Sequence, residues 1–291
     1  MKCQWQELIQ ILPIWFREYV DKFSDAGIQE IRLRLGQVPQ LICFNKTSVL
    51  SRKITKEDLS FCINAATRYS PWTSETILQG FITCSGGHRI GICGECVYDG
   101  GKLKAISSIS SLCIRVAKDI SNASQNVFQE KGSILIIGSP GSGKTTFLRD
   151  LIRQKANSIT GSVAVIDERR EIFPCNALGF AFDRGKNTDV LSGCKKIEGI
   201  QMALRTMGPQ IIAVDEITES EDCLALASVA RCGVNVIATA HAGSKSELLS
   251  RKIYQPILEC GVFSVLICMK QDKSWTKEVF PNCILSGLVQ Y

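Results

Sequence analysis

A run of small residues closing on a lysine and two threonines, Gly138-Ser-Pro-Gly-Ser-Gly-Lys144-Thr145-Thr146, is the strongest chemical signal in this chain of 291 residues. It fits G-x-x-x-x-G-K-[ST], in which glycines let main-chain N–H groups turn inward around a phosphate. The helix that follows would aim its positive end at the same anion. Gly138, Ser139, Pro140, Gly141, Ser142, Gly143, Lys144, Thr145 and Thr146 are therefore the expected nucleotide-binding residues, with Lys144 reaching the β- and γ-phosphates and Thr145 holding Mg²⁺. A Gly-rich turn alone binds nothing; the context on both sides decides. Asp215-Glu216 follow the apolar run Ile211-Ile-Ala-Val214, 71 residues beyond Lys144. An aspartate there is expected to bind Mg²⁺ through water, and the next glutamate to orient the attacking water. The chemistry implied is phosphoanhydride hydrolysis. Asp167-Glu168-Arg169-Arg170-Glu171 and Thr239-Ala-His241 end two further apolar runs, which makes Glu168 a catalytic candidate and His241 a sensor of the γ-phosphate. A strand-capping surface histidine is the plainer alternative for His241.

These residues need elements to hold them. Ile134–Ile137, Val163–Ile166, Ile211–Val214 and Val234–Thr239 are short, nearly continuous apolar runs, as expected of strands covered on both faces. Helical patterns alternate with them, beginning with Phe147–Ile152, and the alternation predicts a parallel α/β sheet whose strand ends share an edge. The first part of the chain reads differently. Trp5, Leu8, Ile9, Leu12, Trp15 and Phe16 follow helical spacing, with Pro13 predicted to kink that helix. Strands are expected around Ile31–Leu33 and Leu41–Phe44, then a helix capped by Thr55 with Leu59, Cys62, Ile63 and Ala66 on its core face. A hairpin follows at Phe81–Thr83 and Arg89–Cys93, turning at Gly86-Gly87, and Asp99-Gly100-Gly101 turns the chain into a strand over Ile106–Val116. The expected fold is α/β: a smaller N-terminal α+β domain, residues 1–118, and a P-loop domain, residues 119–291.

With 45% apolar and 21% charged residues, the composition excludes a disordered or collagen-like chain. The net charge of +6 permits an acidic partner without demanding one. Most of it lies in residues 1–118, which hold 15 basic and 10 acidic side chains against 19 and 18 in the remainder. No apolar run reaches the ~18–20 residues of a membrane-spanning helix. Leu8–Phe16, interrupted by Gln10 and Pro13, does not read as a signal peptide, so a cytosolic protein is expected. The 14 cysteines are then reduced thiols used as small apolar fillers. Cys84, His88, Cys93 and Cys96 have zinc-ligand chemistry, yet the hairpin already accounts for their spacing, and zinc is not the preferred reading.

Taken together, the phosphate loop, Val165-Ile-Asp-Glu-Arg-Arg-Glu171, Met207-Gly-Pro-Gln-Ile-Ile-Ala-Val-Asp-Glu216 and Ala238-Thr-Ala-His241 resemble the secretion and pilus ATPase superfamily, a RecA-like branch of the P-loop folds. Glu30-Ile-Arg-Leu-Arg34, Gly86-Gly-His-Arg-Ile-Gly91, Ile114-Arg-Val-Ala117, Thr188-Asp-Val-Leu191 and Glu198-Gly-Ile-Gln-Met-Ala-Leu-Arg205 extend the likeness to its stage III sporulation protein AA branch, over about residues 27–285. The resemblance implies an ATPase that uses ATP and Mg²⁺ to power a secretion-like channel between mother cell and forespore. Gly138–Thr146 would be its Walker A loop, Ile211–Glu216 its Walker B strand, Asp167–Glu171 an aspartate box and Thr239–His241 a histidine box. It further implies a homo-hexamer and, as partners, the membrane protein of the stage III sporulation protein AB type with the rest of the channel complex. The location implied is the mother-cell cytoplasm, peripheral to the outer forespore membrane. Asp215 stands where other secretion ATPases carry glycine, and no tetracysteine zinc module follows; both features point to the sporulation branch.

A ring ATPase needs cations that reach a neighbour's γ-phosphate. Arg32 and Arg34 alternate along a strand, share a face and are the leading candidates. Arg89, Arg115, Arg169, Arg170, Arg184 and Arg205 are others, and a solvated basic face is the plain alternative for each. Two further readings compete with a motor. One is an ATP-dependent single-stranded nucleic-acid binder, disfavoured because the first part lacks a basic surface interleaved with aromatics. The other is a nucleotide-gated scaffold with negligible turnover.

Overall fold

The computed structural model describes residues 4–23, 27–43, 47–49, 51–67, 80–176 and 179–280. The chain forms two compact units. The first comprises Met1–Asp119 together with Pro174–Phe182; the second comprises Ile120–Phe173 and Asp183–Tyr291.

In the first unit, helices α1 (Trp5–Gln10) and α2 (Ile14–Asp21) precede strands β1 (Glu30–Arg34), β2 (Gln40–Ile42) and β3 (Thr47–Val49). Helix α3 (Lys56–Thr67), β4 (Phe81–Thr83), β5 (Arg89–Asp99) and β6 (Lys102–Arg115) follow. The strands form one antiparallel sheet in the order β3-β2-β1-β6-β5-β4. Leu8, Leu12, Phe16 and Val20 of the two helices bury themselves with Ile31, Leu33, Ile90 and Ile114 of the sheet. Each such side chain contributes about 1.5–3 kcal/mol of burial. Pro13 does more than kink the helix. Its backbone is extended, so the expected single helix is two. Thr55 caps α3 as its sequence suggests: its hydroxyl accepts from Asp58 N at 3.3 Å while its own N–H donates to the Asp58 carboxylate at 3.0 Å. Phe44, the expected end of β2, lies outside the described residues. Strand β6 starts at Lys102, earlier than the apolar pattern implied, because Asp99 pairs with Lys102 across Gly100 and Gly101, both at positive φ. The short strands β9 (Cys175–Asn176) and β10 (Gly179–Phe180) pair in the excursion that joins this unit, where Phe182 and Pro174 lie against Gly87. Nothing in the sequence announced that excursion.

The second unit carries β7 (Ile134–Gly138), α4 (Lys144–Ser158), β8 (Val163–Asp167), β11 (Thr188–Ser192), α5 (Lys196–Thr206) and β12 (Ile211–Ile217). Helix α6 (Ser220–Arg231), β13 (Asn235–Ala240), α7 (Lys245–Ser250), α8 (Gln255–Glu259), β14 (Val265–Met269) and β15 (Trp275–Val279) complete it. Its sheet runs β11-β8-β12-β13-β7-β14-β15, parallel throughout except for the last strand. Strands β7 and β8 are buried at every position, as continuous apolar runs require. Helix α4 is longer than Phe147–Ile152, because Lys144–Thr146 form its first turn and polar Arg149, Asp150, Arg153 and Lys155 are buried in it. The carboxyl ends of β7, β8, β12 and β13 lie along one edge of the sheet.

Among the described residues no helix is long and apolar enough to cross a membrane. Every cysteine among them is a free thiol. Cys62, Cys84 and Cys223 are buried fillers, whereas Cys93, Cys96, Cys175, Cys232 and Cys260 are exposed, so the filler account holds for only some.

Candidate functional site

The site assembles at that edge of the second unit. Strand β7 ends in Gly138, where a Cβ would sit 2.5 Å from Ser142 Oγ and 2.8 Å from Met269 O, so only glycine fits. Gly141 and Gly143 take φ of +75° and +97°, the conformations that curl the loop back to the start of α4. The Ser142 hydroxyl is buried without a hydrogen-bond partner. Lys144 is 7% exposed, and its ammonium donates to Gly138 O at 2.8 Å, Ser139 O at 3.0 Å and His241 Nδ1 at 3.1 Å. Burial pushes its pKa below the usual lysine value, and the Asp215 and Glu216 carboxylates oppose the shift.

Because Lys144 has only hydrogens to give, His241 Nδ1 accepts, and Nε2 carries the proton it donates to Glu216 Oε1 at 2.5 Å. The other Glu216 oxygen is ion-paired to Arg169. Both carboxylate oxygens are thus held, one through His241 to the phosphate-loop lysine. Glu216 has a φ of +54°, a conformation sparsely populated by non-glycine residues, at a bulge where the pairing of β12 with β13 shifts between Val214 and Ile217. Thr239 fixes that bulge. Its buried hydroxyl accepts from Glu216 N at 2.7 Å and donates to Asp215 Oδ1.

Asp215 Oδ2 accepts from Thr145 Oγ1 at 2.8 Å. The threonine hydroxyl and the carboxylate thus stand side by side, hard oxygen donors that fit an Mg²⁺ taking Thr145 as a direct ligand and Asp215 through a bound water. Among the described residues no group of three or more His, Cys, Asp or Glu side chains gathers in a metal cage. The cysteine–histidine group forms no such cluster. His88 is buried, one nitrogen at 3.1 Å from Gln4 O and the other accepting from Ala117 N at 3.1 Å, and Cys84 Sγ donates to His88 O.

The aspartate-rich turn after β8 divides its labour. Asp167 accepts from the N–H groups of Glu171, Ile172 and Phe173 at 2.8–3.1 Å, and burial raises its pKa to about 6 in spite of those bonds. Glu168 is bound by Lys196 Nζ of α5 at 2.6 Å, with Asp222 3.5 Å from the same ammonium. Asp167, Glu168, Arg169, Lys196, Asp215 and Glu216 line one cleft. The structure thus brings Lys144, Thr145, Asp215, Glu216, His241 and Glu168 to one sheet edge. Arg32 and Arg34 belong to the first unit. They share a face of β1, opposite buried Ile31 and Leu33, with Arg32 ion-paired to Glu30 and Arg34 donating to Gln40 Oε1 at 2.9 Å. Sequence reasoning missed Lys196 and the pairing of Arg169 with Glu216. A lysine on the first turn of α5 was the available signal for the former; the latter spans 47 residues and left none.

The chain matches the family described as Sporulation stage III, protein AA, over residues 3–279. It is 33% identical over 280 residues to stage III sporulation protein AA of Bacillus subtilis (strain 168), covering 92% of this chain and 91% of that one. Among solved structures it is similar to the pilus retraction motor PilT with bound ADP, at a TM-score of 0.63 and 16% identity over 93% of this chain and 84% of that one. It is also similar to the ATPase DotB of Legionella pneumophila, at a TM-score of 0.61 and 16% identity over 91% and 79%. At that identity the two structures speak to the fold, and the fold is the RecA-like core of the secretion and pilus ATPases. The match along nearly the whole chain makes it a member of the stage III sporulation protein AA family.

Proposed function

We propose that the protein hydrolyses Mg·ATP and that this turnover powers a secretion-like channel between mother cell and forespore. The observation that carries the reading is the linked set Lys144–His241–Glu216, beside Thr145–Asp215, on a phosphate loop at one sheet edge. The amides of Gly141 and of Gly143 to Thr146, at the α4 N-terminus, supply donors for the triphosphate. Lys144, freed from its loop carbonyls, meets the β- and γ-phosphates. Thr145 and Asp215 would hold Mg²⁺, which supplies charge neutralisation at the phosphate oxygens when bound. Glu216 orients the attacking water and takes its proton, once Arg169 or His241 releases one carboxylate oxygen. His241, bonded to both Lys144 and Glu216, is placed to report the γ-phosphate to the glutamate.

The family and the fold support the rest of the proposal: a homo-hexameric ring with ATP at subunit boundaries, and docking on a stage III sporulation protein AB-like membrane protein of the channel complex. The location proposed with it is the mother-cell cytoplasm, peripheral to the outer forespore membrane. Calorimetry with Mg·ATP and single-turnover phosphate release test the catalytic core. Lys144→Ala is expected to lose ATP binding; Glu216→Gln is expected to keep it and lose about 100-fold or more in hydrolysis. Equal turnover by Glu216→Gln and the parent removes Glu216 from its role. Binding without turnover in the parent, ring assembled, favours a nucleotide-gated scaffold instead.

A further inference from the structure

The carbonyls of the phosphate loop face donors from two sources, the loop's own lysine and a neighbouring turn. Lys144 takes Gly138 O and Ser139 O. The next two are taken from the turn between β14 and β15: Gln271 Nε2 donates to Pro140 O at 3.1 Å and Ser139 Oγ at 2.8 Å, and Lys273 Nζ donates to Gly141 O. Four consecutive carbonyls are therefore each bound by a side-chain ammonium or amide. The Pro140 carbonyl, so held, turns the Gly141 N–H the other way, where a phosphate cradle needs a donor. The Gly141 carbonyl turns the Ser142 N–H onto Ser139 O at 3.2 Å, which closes the loop's own turn.

The turn is built to stay there. Strand β14 pairs in parallel with β7, Met269 opposite Gly138, so the turn leaves the sheet beside the loop. On its other side Trp275, paired with Met269, meets the Phe147 ring of α4 edge-on at 5.7 Å. Lys273 N donates to Lys270 O at 3.1 Å and Lys270 N to Ser274 O at 2.9 Å, while Asp272 Oδ1 accepts from Ser274 N at 2.9 Å and Ser274 Oγ at 2.6 Å. This is a three-residue hairpin loop whose third position is left-handed, the place where glycine is favoured. Lys273 occupies it, at a φ of +71°. A side chain kept where the backbone prefers none points to a use for its ammonium.

We infer that the β14–β15 turn is a brace for the phosphate loop, with Gln271 and Lys273 as positioning residues that hold the loop's amides ready for the triphosphate. The inference rests on the nucleotide reading above and adds residues that no phosphate-loop motif includes. The two side chains act on the outer, carbonyl side of the loop, so they set affinity by preorganisation and leave the hydrolytic groups alone.

The test uses the full chain with Lys273→Gly, Gln271→Ala, both together, and Lys273→Arg. Mg·ATP affinity is read by calorimetry, KM and kcat by phosphate release, and Tm by thermal unfolding without nucleotide. Glycine suits the turn, so Lys273→Gly is expected to keep or raise Tm. The double variant is expected to weaken Mg·ATP binding and raise KM about ten-fold, with kcat within two-fold of the parent, and Lys273→Arg to retain most of the parent's affinity. A parent that binds Mg·ATP beside a double variant of equal Kd overturns the brace alone. A parent that binds no Mg·ATP overturns the nucleotide reading and the brace with it. An affinity loss accompanied by a lowered Tm in Lys273→Gly marks a merely structural role and also overturns it.

Discussion

Thr239 joins Asp215 and Glu216, the carboxylates proposed to serve the metal and the attacking water, through a single buried hydroxyl. Thr239→Val keeps shape and volume but leaves Glu216 N without its acceptor and Asp215 Oδ1 without its donor. The variant is expected to lose about 1–3 kcal/mol in urea unfolding and to lose hydrolysis more than ATP binding, because the left-handed Glu216 is no longer held. Asp167 makes a different demand. With its pKa raised to about 6 by burial, the folded state keeps a proton that the unfolded chain has released by about pH 4. Its contribution is therefore most favourable below about pH 4 and is lost as pH rises through about 6. Asp167→Asn is a neutral analogue whose single carbonyl oxygen can serve either the Glu171 N–H or the Ile172 and Phe173 pair. It removes the titration at the cost of a pH-independent offset and so isolates this effect. Its stability relative to the parent is expected to climb between about pH 4 and 6, by about 2–3 kcal/mol in all, then level off. A flat difference across that window would show that the carboxylate titrates normally.

Helix α5 shows how an element is fitted to the site. It carries Lys196, which binds Glu168, and it crosses β8 at Gly199, where a Cβ would lie 2.5 Å from Ile166 Cγ2 and 2.8 Å from Cys194 Sγ. Glycine inside a helix costs up to about 1 kcal/mol relative to alanine, so propensity alone favours Gly199→Ala. Close packing reverses the sign: the substitution is expected to destabilise by about 1–3 kcal/mol in denaturant unfolding, since Ile166 is fully boxed in. The same elements show what the sequence could disclose. Strands β7, β8, β12 and β13 are buried on both faces, which writes itself as an apolar run, and the polar residues at their ends could be placed on one edge with them. Strand β15, Trp-Thr-Lys-Glu-Val, is an exposed edge with little burial to pattern it, and the outer half of β5 is exposed throughout. Neither carries a periodic signature. The grip of Gln271 on Ser139 spans 132 residues, and the Arg169–Glu216 pair depends on how far a turn carries one guanidinium. Such pairings belong to tertiary structure, and local spacing holds no trace of them.

For the whole molecule the open quantity is which cation crosses a subunit boundary in the proposed ring. Arg32 is neutralised within its own strand by Glu30, and its guanidinium is held in the charged form by that partner. Among the described residues Arg34 is held by the neutral amide of Gln40, so less electrostatic attraction has to be given up before it engages a phosphate. Arg34 is accordingly the better candidate of the two. Arg34→Ala alone cannot separate a neighbour's cation from a damaged first unit, but mixed rings can. A Lys144→Ala chain keeps the arginine and lacks the phosphate lysine; an Arg34→Ala chain has the reverse defect. In a ring a site works only where an Arg34→Ala chain supplies Lys144 and the adjacent Lys144→Ala chain supplies the arginine. For random equal mixing that arises at about a quarter of the boundaries in a head-to-tail ring. Steady-state phosphate release from the 1:1 mixture is expected to recover to about a quarter of the parent value, with each variant alone near zero. The same mixture made with Arg32→Ala is expected to show no gain over the mean of the two variants measured separately, because Arg32 supplies nothing across the boundary. Recovery with neither arginine would assign the crossing cation to another residue, or make each site self-contained.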